Sequence, residues 1–273
     1  MENLNKYGEI LLLGPCNYKC YYCLQNEMDK LKEERENQLN THYSKWNHFN
    51  DFLLCCQNES VDKIYLSSIC TDPLLYNYLE ELIQEIKNSN FKVGIRTNGV
   101  LAVEKINTIL KLDEEISFSL NSFCGETNFK ITNNTYIPDY EKIFKLLSNN
   151  NKKCRVTIVV NQYNYAEIPE IINKLNNYKC ISYLQLRKVY KYYDYNKEKE
   201  DKAFENVKEW IEKNATEIEN YYESKVFKYN NLKISLWENV FSKNSIKSIN
   251  YFTNGIISGE NLLVPIYEER KNG

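Results

Sequence analysis

Glu9-Ile-Leu-Leu-Leu13-Gly14-Pro15-Cys16-Asn-Tyr-Lys-Cys20-Tyr-Tyr-Cys23 sets an apolar run directly ahead of three cysteines. Glu9–Leu13 reads as a buried strand, and Gly14-Pro15 turns it into a loop. The cysteines follow as C-x3-C-x2-C, so three side chains of one loop can face a common centre. Thiolates are soft ligands that select zinc or iron–sulfur clusters. A structural zinc site wants a fourth ligand, and the nearest histidine in the chain is the distant His42. A [4Fe–4S] cluster on three cysteines instead leaves one iron open to bind something else.

Outward from this loop, short apolar runs alternate with longer amphipathic stretches. Strands are expected at Glu9–Leu13, Lys63–Leu66, Lys92–Arg96, Ile116–Leu120, Arg155–Val160 and Tyr183–Arg187. Helices are expected between them, at Tyr43–Gln57, Leu74–Asn88, Val103–Leu112, Asp139–Asn149 and Tyr165–Asn176. Leu75, Leu79, Leu82, Ile83 and Ile86 recur at three and four, the stripe of a helix packed on a sheet. This alternation predicts an α/β fold with parallel strands and right-handed crossovers, a partial (β/α)6 TIM-type barrel. After Arg187 the pattern changes. A Tyr- and Lys-rich connector, Val189–Lys199, leads to one long helix over Lys202–Tyr222. Phe227–Trp237, Ser248–Thr253 and Leu262–Tyr267 then read as a small antiparallel appendage around turn signals at Asn230-Asn231, Asn254-Gly255 and Ser258-Gly259. The expected division is residues 1–190 as the catalytic barrel and residues 191–273 as a helix plus β-rich extension.

The 273 residues carry 42% hydrophobic and 26% charged side chains, enough for a real core and against disorder. Lys+Arg 35 against Asp+Glu 37 gives a net charge of −2. That balance argues against a general nucleic-acid binder. No long apolar run and no signal-like start are present, so no membrane span is expected and a cytoplasmic location is. Nine cysteines, an odd number without a secretory signal, argue for thiol or metal chemistry over a disulfide framework. GxGxxG, GxxxxGK[ST] and GxSxG motifs are absent, and the two histidines leave little for His-based catalysis.

The cysteine segment resembles the signature of the radical S-adenosylmethionine (SAM) superfamily, including the aromatic Tyr22 before the third cysteine. The resemblance implies a [4Fe–4S] cluster on Cys16, Cys20 and Cys23, with SAM bound through its amino and carboxylate groups to the open iron. It further implies that the reduced cluster splits SAM into methionine and a 5′-deoxyadenosyl radical that takes hydrogen from a substrate. The family's Gly-Gly-Glu-Pro segment corresponds to Cys70-Thr71-Asp72-Pro73. Both glycines are missing and a shorter acid stands in. Asp72, helped by Thr71, is then the candidate acceptor for the SAM ammonium, and it also reads as a helix N-cap with Pro73 at the first helical position. Thr97-Asn98-Gly99 is similar to the family's rim motif after the third strand. Ser117, Ser119 and Asn121 alternate to one face of the fourth strand, which makes Ser119 and Asn121 candidates for the ribose or carboxylate of SAM. Val156–Val160 with Asn161 and Asn164 resembles the adenine-side wall. Arg187, at the end of the sixth strand, is a candidate partner for a carboxylate of SAM or substrate, and Lys188 beside it reads as a surface charge.

Cys55, Cys56, Cys154 and Cys180 read as small buried hydrophobes. Cys70 and Cys124 follow strands at the expected active-site rim, where a thiol can return a hydrogen atom to a substrate radical. Tyr190, Tyr192, Tyr193 and Tyr195 beside Lys188, Lys191 and Lys197 have the composition of a stacking platform, and a lid or interface explains the stretch as well. Lys30–Glu36 reads as a solvated face. The resemblance implies a small-molecule or short-peptide substrate and an electron donor such as flavodoxin or ferredoxin. The alternatives are an activating enzyme for a glycyl-radical enzyme, a nucleotide- or RNA-modifying radical SAM enzyme, and a non-enzymatic iron–sulfur redox sensor.

Overall fold

The computed structural model describes residues 6–23, 37–68, 70–189, 197–221, 224–238 and 248–259. Six parallel strands form its centre in chain order: β1 (Tyr7–Leu12), β2 (Lys63–Ser68), β3 (Lys92–Thr97), β4 (Ile116–Ser119), β5 (Cys154–Val160) and β6 (Ile181–Lys188). Helices α1 (Phe49–Asn58), α2 (Leu79–Asn88), α3 (Ile106–Leu110), α4 (Gly125–Thr132), α5 (Tyr140–Asn149) and α6 (Ile168–Leu175) occupy the crossovers. This is the mixed α/β architecture with a parallel sheet that the alternation predicts. The sheet is not closed into a barrel.

Period-two alternation divides each strand between two faces. Ile10, Leu12, Ile64, Leu66, Val156, Ile158 and Leu184 are fully buried on the helix-covered face. Gly8 marks how closely α1 approaches β1, because a β-carbon there meets Cys56 Sγ at 2.9 Å and Phe52 Cζ at 3.2 Å. The α2 stripe of Leu79, Leu82, Ile83 and Ile86 is buried as read from the sequence. Each such side chain contributes about 2 kcal/mol of transfer free energy. The opposite face carries Glu9, Arg96, Ser117, Arg155, Gln185 and Arg187.

Several elements differ from their sequence reading. The segment expected as one helix over Tyr43–Gln57 breaks at His48, whose φ of 59° is left-handed, so α1 starts at Phe49. Leu74 and Leu75 fall in a separate 3-10 turn at Pro73–Leu75, capped by Asp72, and the extended backbone of Tyr76 separates it from α2. The C-terminal helix α7 covers Lys197–Asn214, and Thr216–Tyr221 is a strand, β7. Glu217 and Glu219 there pair with Lys225 and Lys233 of the next strands, at 3.2 and 3.1 Å, which favours cross-strand pairing over another helical turn. The run read as Phe227–Trp237 is a hairpin of β8 (Ser224–Tyr229) and β9 (Leu232–Trp237), turning at Asn230 with φ 51°. Strand β9 pairs parallel with β6. Strand β10 (Ser248–Phe252) pairs parallel with β1 instead of joining an antiparallel appendage, and the short β11 (Ile257–Ser258) is antiparallel to it. Helix α4 was not anticipated at all. The stretches Leu262–Tyr267, Tyr190–Tyr195 and Lys30–Glu36 lie outside the described residues.

Candidate active site

The loop carrying Cys16, Cys20 and Cys23 leaves the C-terminal end of β1 and docks on the end of α4. Lys19 N–H donates to Thr132 O and Tyr21 N–H to Ile131 O, both at 2.9 Å. A helix C-terminus leaves its last carbonyls without intrahelical partners, and this loop supplies donors to two of them. Tyr18 OH adds a bond to Tyr136 O at 2.9 Å, and Cys23 N–H closes a turn on Cys20 O at 2.9 Å.

The second and third strand ends are tied to this loop. Thr71 Oγ1 donates to Pro15 O at 2.6 Å, immediately before Cys16. Asn98 donates from Nδ2 to Asn17 Oδ1 at 2.7 Å and reaches Cys16 Sγ at 3.8 Å. Asp72, 2% exposed, accepts from Leu74 N–H at 3.0 Å, Thr97 Oγ1 at 2.9 Å and Asn98 N–H at 2.6 Å. The acid therefore serves as the N-cap anticipated for it and also fixes the Thr97-Asn98-Gly99 rim. Gly99, at φ 81°, provides the left-handed turn there. Burial holds the Asp72 carboxyl above the usual carboxylate range, although three donors work against that.

On the other side, Tyr22 OH donates to Asn121 Oδ1 at 2.6 Å, and Asn164 Nδ2 donates to Asn121 O at 3.0 Å. Tyr22, Thr71, Asp72, Asn98 and Asn121 are thus linked to the cysteine loop by direct or one-step hydrogen bonds. Ser119 is exposed past the buried part of β4, Cys124 is exposed just before α4, and Arg187 sits on the inner face of β6. Cys70 is buried beside Thr71. Backbone N–H groups of Thr127 and Glu126 lower the Cys124 thiol pKa. Cys154 and Cys180 are buried, as expected, and they hydrogen-bond to each other through their side chains.

Sequence reasoning missed Glu200, a 3% exposed acid on α7. It accepts from Tyr21 OH at 2.7 Å and from Gln162 N–H and Nε2, both at 2.9 Å. A signal was present: Glu200 stands in line with Ala203, Phe204, Val207 and Ile211, the buried stripe of that helix. A charge on an apolar stripe needs buried partners.

Burial pushes the Cys16 thiol up to about 11 and the Cys20 thiol further still, with Cys23 and Cys16 adding repulsion at Cys20. The three sulfurs therefore sense one another electrostatically. Among the described residues no three His, Cys, Asp or Glu side chains converge on a single-ion site. Three cysteine thiols on one loop are the donor set of a [4Fe–4S] cluster, which leaves one iron without a protein ligand. Loading such a group releases the thiol protons.

The sequence profile of the radical SAM superfamily matches residues 11–175, more than half of the chain. The chain belongs to the radical SAM superfamily. Relatives extend the match. A Methanocaldococcus jannaschii protein, provisionally named a glycyl-radical enzyme activating enzyme, is 28% identical over 194 residues, 59% of this chain and 71% of its own length. An S-adenosylmethionine-dependent nucleotide dehydratase from a Thermoplasmatales archaeon is 28% identical over 97 residues, 36% of this chain and 30% of that protein. Among solved structures, Streptococcus suis SuiB bound to S-adenosylmethionine superposes with a TM-score of 0.66 at 16% identity, over 96% of this chain and 62% of that one. The chain thus spans under two thirds of SuiB, and at that identity the likeness shows the fold alone. Members of the superfamily are enzymes that bind a [4Fe–4S] cluster and SAM and cleave SAM reductively, and these are the cofactors and the chemistry of this radical SAM enzyme.

Proposed function

We propose that this radical SAM enzyme acts on a small metabolite or a short peptide bound at the C-terminal ends of the six parallel strands. The observation that carries the reading is the hydrogen-bonded continuity of the cysteine loop with Asp72, Asn98 and Asn121. Cys16, Cys20 and Cys23 hold the cluster, which supplies the electron for cleavage of SAM. Thr71, Asp72, Asn98, Ser119 and Asn121 form the polar shelf on which SAM is oriented, and Tyr22 braces that shelf. Tyr18, buried, and Tyr22, half-buried, are neutral phenols that keep water from the cysteine loop. Of the two thiols named as hydrogen-atom donors, Cys70 suits the role better. Cys70 is buried beside Thr71 of the shelf, whereas the N–H groups at Cys124 favour its thiolate, which has no hydrogen atom on sulfur to give. Residues 1–190 are proposed as the catalytic unit and residues 191–273 as the element that sets specificity.

A flavodoxin or ferredoxin is the proposed electron donor. The cytoplasm is the proposed setting, because nine cysteines, an odd number, argue against a disulfide framework. Among the described residues no helix is long and apolar enough to cross a membrane. A second reading, activation of a glycyl-radical enzyme, is favoured by the M. jannaschii relative, of which the match covers 71%.

The test is anaerobic cluster reconstitution followed by dithionite reduction with SAM, quantifying 5′-deoxyadenosine against a variant with all three cysteines replaced by Ala. Cluster-dependent deoxyadenosine is expected. A wild type that loads zinc and never a cluster overturns the function. A persistent glycyl radical on a tightly associated large protein selects the second reading.

A further inference from the structure

Three arginines project from the inner face of the sheet, and they are not equivalently compensated. Arg96 pairs with Glu9 and lies over the Tyr65 ring, 4.9 Å from its centre, although its Nε, like that of Arg187, is buried without a hydrogen-bond partner. Arg155 pairs with Glu115 at 3.2 Å and donates from Nε to Ser117 Oγ at 3.2 Å. Arg187 pairs with no carboxylate among the described residues, and its Nε is buried with no hydrogen-bond partner. Its guanidinium carbon stands 5.7 Å from the centre of the Trp237 ring, its registered neighbour on β9. The indole is itself held, donating from Nε1 to Ser235 Oγ at 2.9 Å. Burial and the like charges of Arg155 and Arg96 lower the Arg187 pKa to about 10, which leaves it a cation at neutral pH.

A part-buried cation whose Nε is shut off from water and which has no counter-charge destabilises the protein that holds it. Apolar residues at this position would pack without that penalty. An arginine kept there is explained by a ligand that brings the missing charge. Arg96–Glu9 and Arg155–Glu115 pair internally, so among the described residues Arg187 is the arginine of these three left without a carboxylate. A guanidinium fork held against an aromatic face suits the planar two-oxygen edge of a carboxylate. Position separates this anchor from the SAM shelf. The groups of the proposed SAM shelf stand at the ends of β2, β3 and β4 or just after them, whereas Arg187 and Trp237 stand on β6 and β9. Both lie beyond residue 175, where the superfamily match ends.

We propose that Arg187, backed by Trp237, anchors the carboxylate of the enzyme's substrate. The inference rests on the function proposed above and assigns the substrate class as a carboxylic acid, free or at a peptide C-terminus. Residues of the β8–β9 hairpin then take part in substrate selection.

The experiment uses the cluster-loaded protein under anaerobic conditions and titrates it with N-acetylglycine, N-acetylglycinamide, inorganic phosphate and SAM. Tryptophan fluorescence is followed in wild type and Trp237→Phe, and the difference isolates Trp237. Saturable change with the acid and none with the amide is expected. Arg187→Met should weaken acid binding by about tenfold or more, as loss of a charge-assisted hydrogen bond does, while its melting temperature rises. Arg187→Lys, which keeps the charge but not the fork, should retain part of the affinity.

Equal response to acid and amide, or unaltered binding in Arg187→Met, overturns the proposal. Tighter binding of phosphate than of the acid overturns the carboxylate assignment. Displacement of the acid by one equivalent of SAM gives the arginine to the cofactor and also overturns it. A fall in melting temperature of Arg187→Met makes the residue part of the scaffold. Cluster content and deoxyadenosine formation are measured on the same wild-type preparation. Their failure sinks the function proposed above without altering the binding result.

Discussion

On β5, Cys154, Val156, Ile158 and Val160 are buried, whereas Arg155, Thr157 and Val159 between them are half-buried. The same contrast runs across the sheet. One face meets helices through Ile, Leu, Val and Phe, and the other collects arginines, glutamates, amides and hydroxyls. The helix-covered face can be filled by any side chains of suitable volume. The inner face forgoes that freedom, because each buried polar group there must find a specific partner or a ligand. Stability is concentrated on one face and chemistry on the other.

The largest expected effect lies at the top of the inner face. Cys20→Ala should remove the iron–sulfur absorbance and bring deoxyadenosine formation to background, while leaving the far-ultraviolet dichroism of the apoprotein unchanged. Loss of helical signal in that variant would mean that the cysteine loop also holds the scaffold together, and the contrast between the faces would fail. On the helix-covered face the expected effect is the converse. Phe144, fully buried and 6.2 Å from Phe118 between ring centres, should cost about 3–5 kcal/mol when changed to Ala. Denaturant unfolding measures this, and the iron content per folded molecule should stay that of the wild type.

An intermediate effect is expected where the faces meet. Glu200 accepts three hydrogen bonds, one from Tyr21 of the cysteine loop. Glu200→Gln keeps the shape but exchanges an acceptor for a donor, so at least one of the Gln162 or Tyr21 donors loses its partner. A cost of about 1–3 kcal/mol follows. Glu200 acts through Tyr21 as a positioning residue, so cluster loss on air exposure should also quicken, and Glu200→Asp should restore part of the lifetime. Destabilisation with an unaltered cluster lifetime would confine Glu200 to the scaffold.

The two faces also differed in how far they could be read beforehand. Six strands and their order were legible, because outward-facing Ile, Leu and Val recur with period two and the α2 stripe with period 3.6. The cysteine loop was legible from its spacing alone, and the roles of Asp72 as a cap and Gly99 as a turn followed from local chemistry. Helix α4 was not, because Gly125-Glu-Thr-Asn-Phe-Lys-Ile-Thr132 has weak helix formers and a small apolar stripe. Its value is tertiary, in carbonyls that receive the cysteine loop. The pairing of β10 with β1 was equally hidden, since partner choice between strands far apart in sequence depends on the whole sheet. Arg187 was recognised as a candidate, but its lack of a carboxylate partner among the described residues is a property of the assembled interior.

The smallest effect is expected at the hairpin end of the sheet. Glu217 and Glu219 of β7 pair with Lys225 and Lys233 across strands, with all four side chains about half exposed. Such pairs contribute under about 1 kcal/mol each, so Glu217→Gln with Glu219→Gln should hardly alter the melting temperature. Their consequence is different in kind. Among the described residues β7 is the last strand on this side of the sheet, and between the two acids it exposes Ile218 at 41%. An edge strand with an exposed apolar residue is a template for pairing with another chain, and charges along it oppose that approach. The double variant should therefore aggregate faster on mild heating, by light scattering, at an unchanged unfolding midpoint. Added salt should produce the same trend in the wild type by screening the same charges. If the variant melts several degrees lower without aggregating, the pairs stabilise the hairpin itself. The contrast would then need a third region, where charge stabilises structure instead of serving the site.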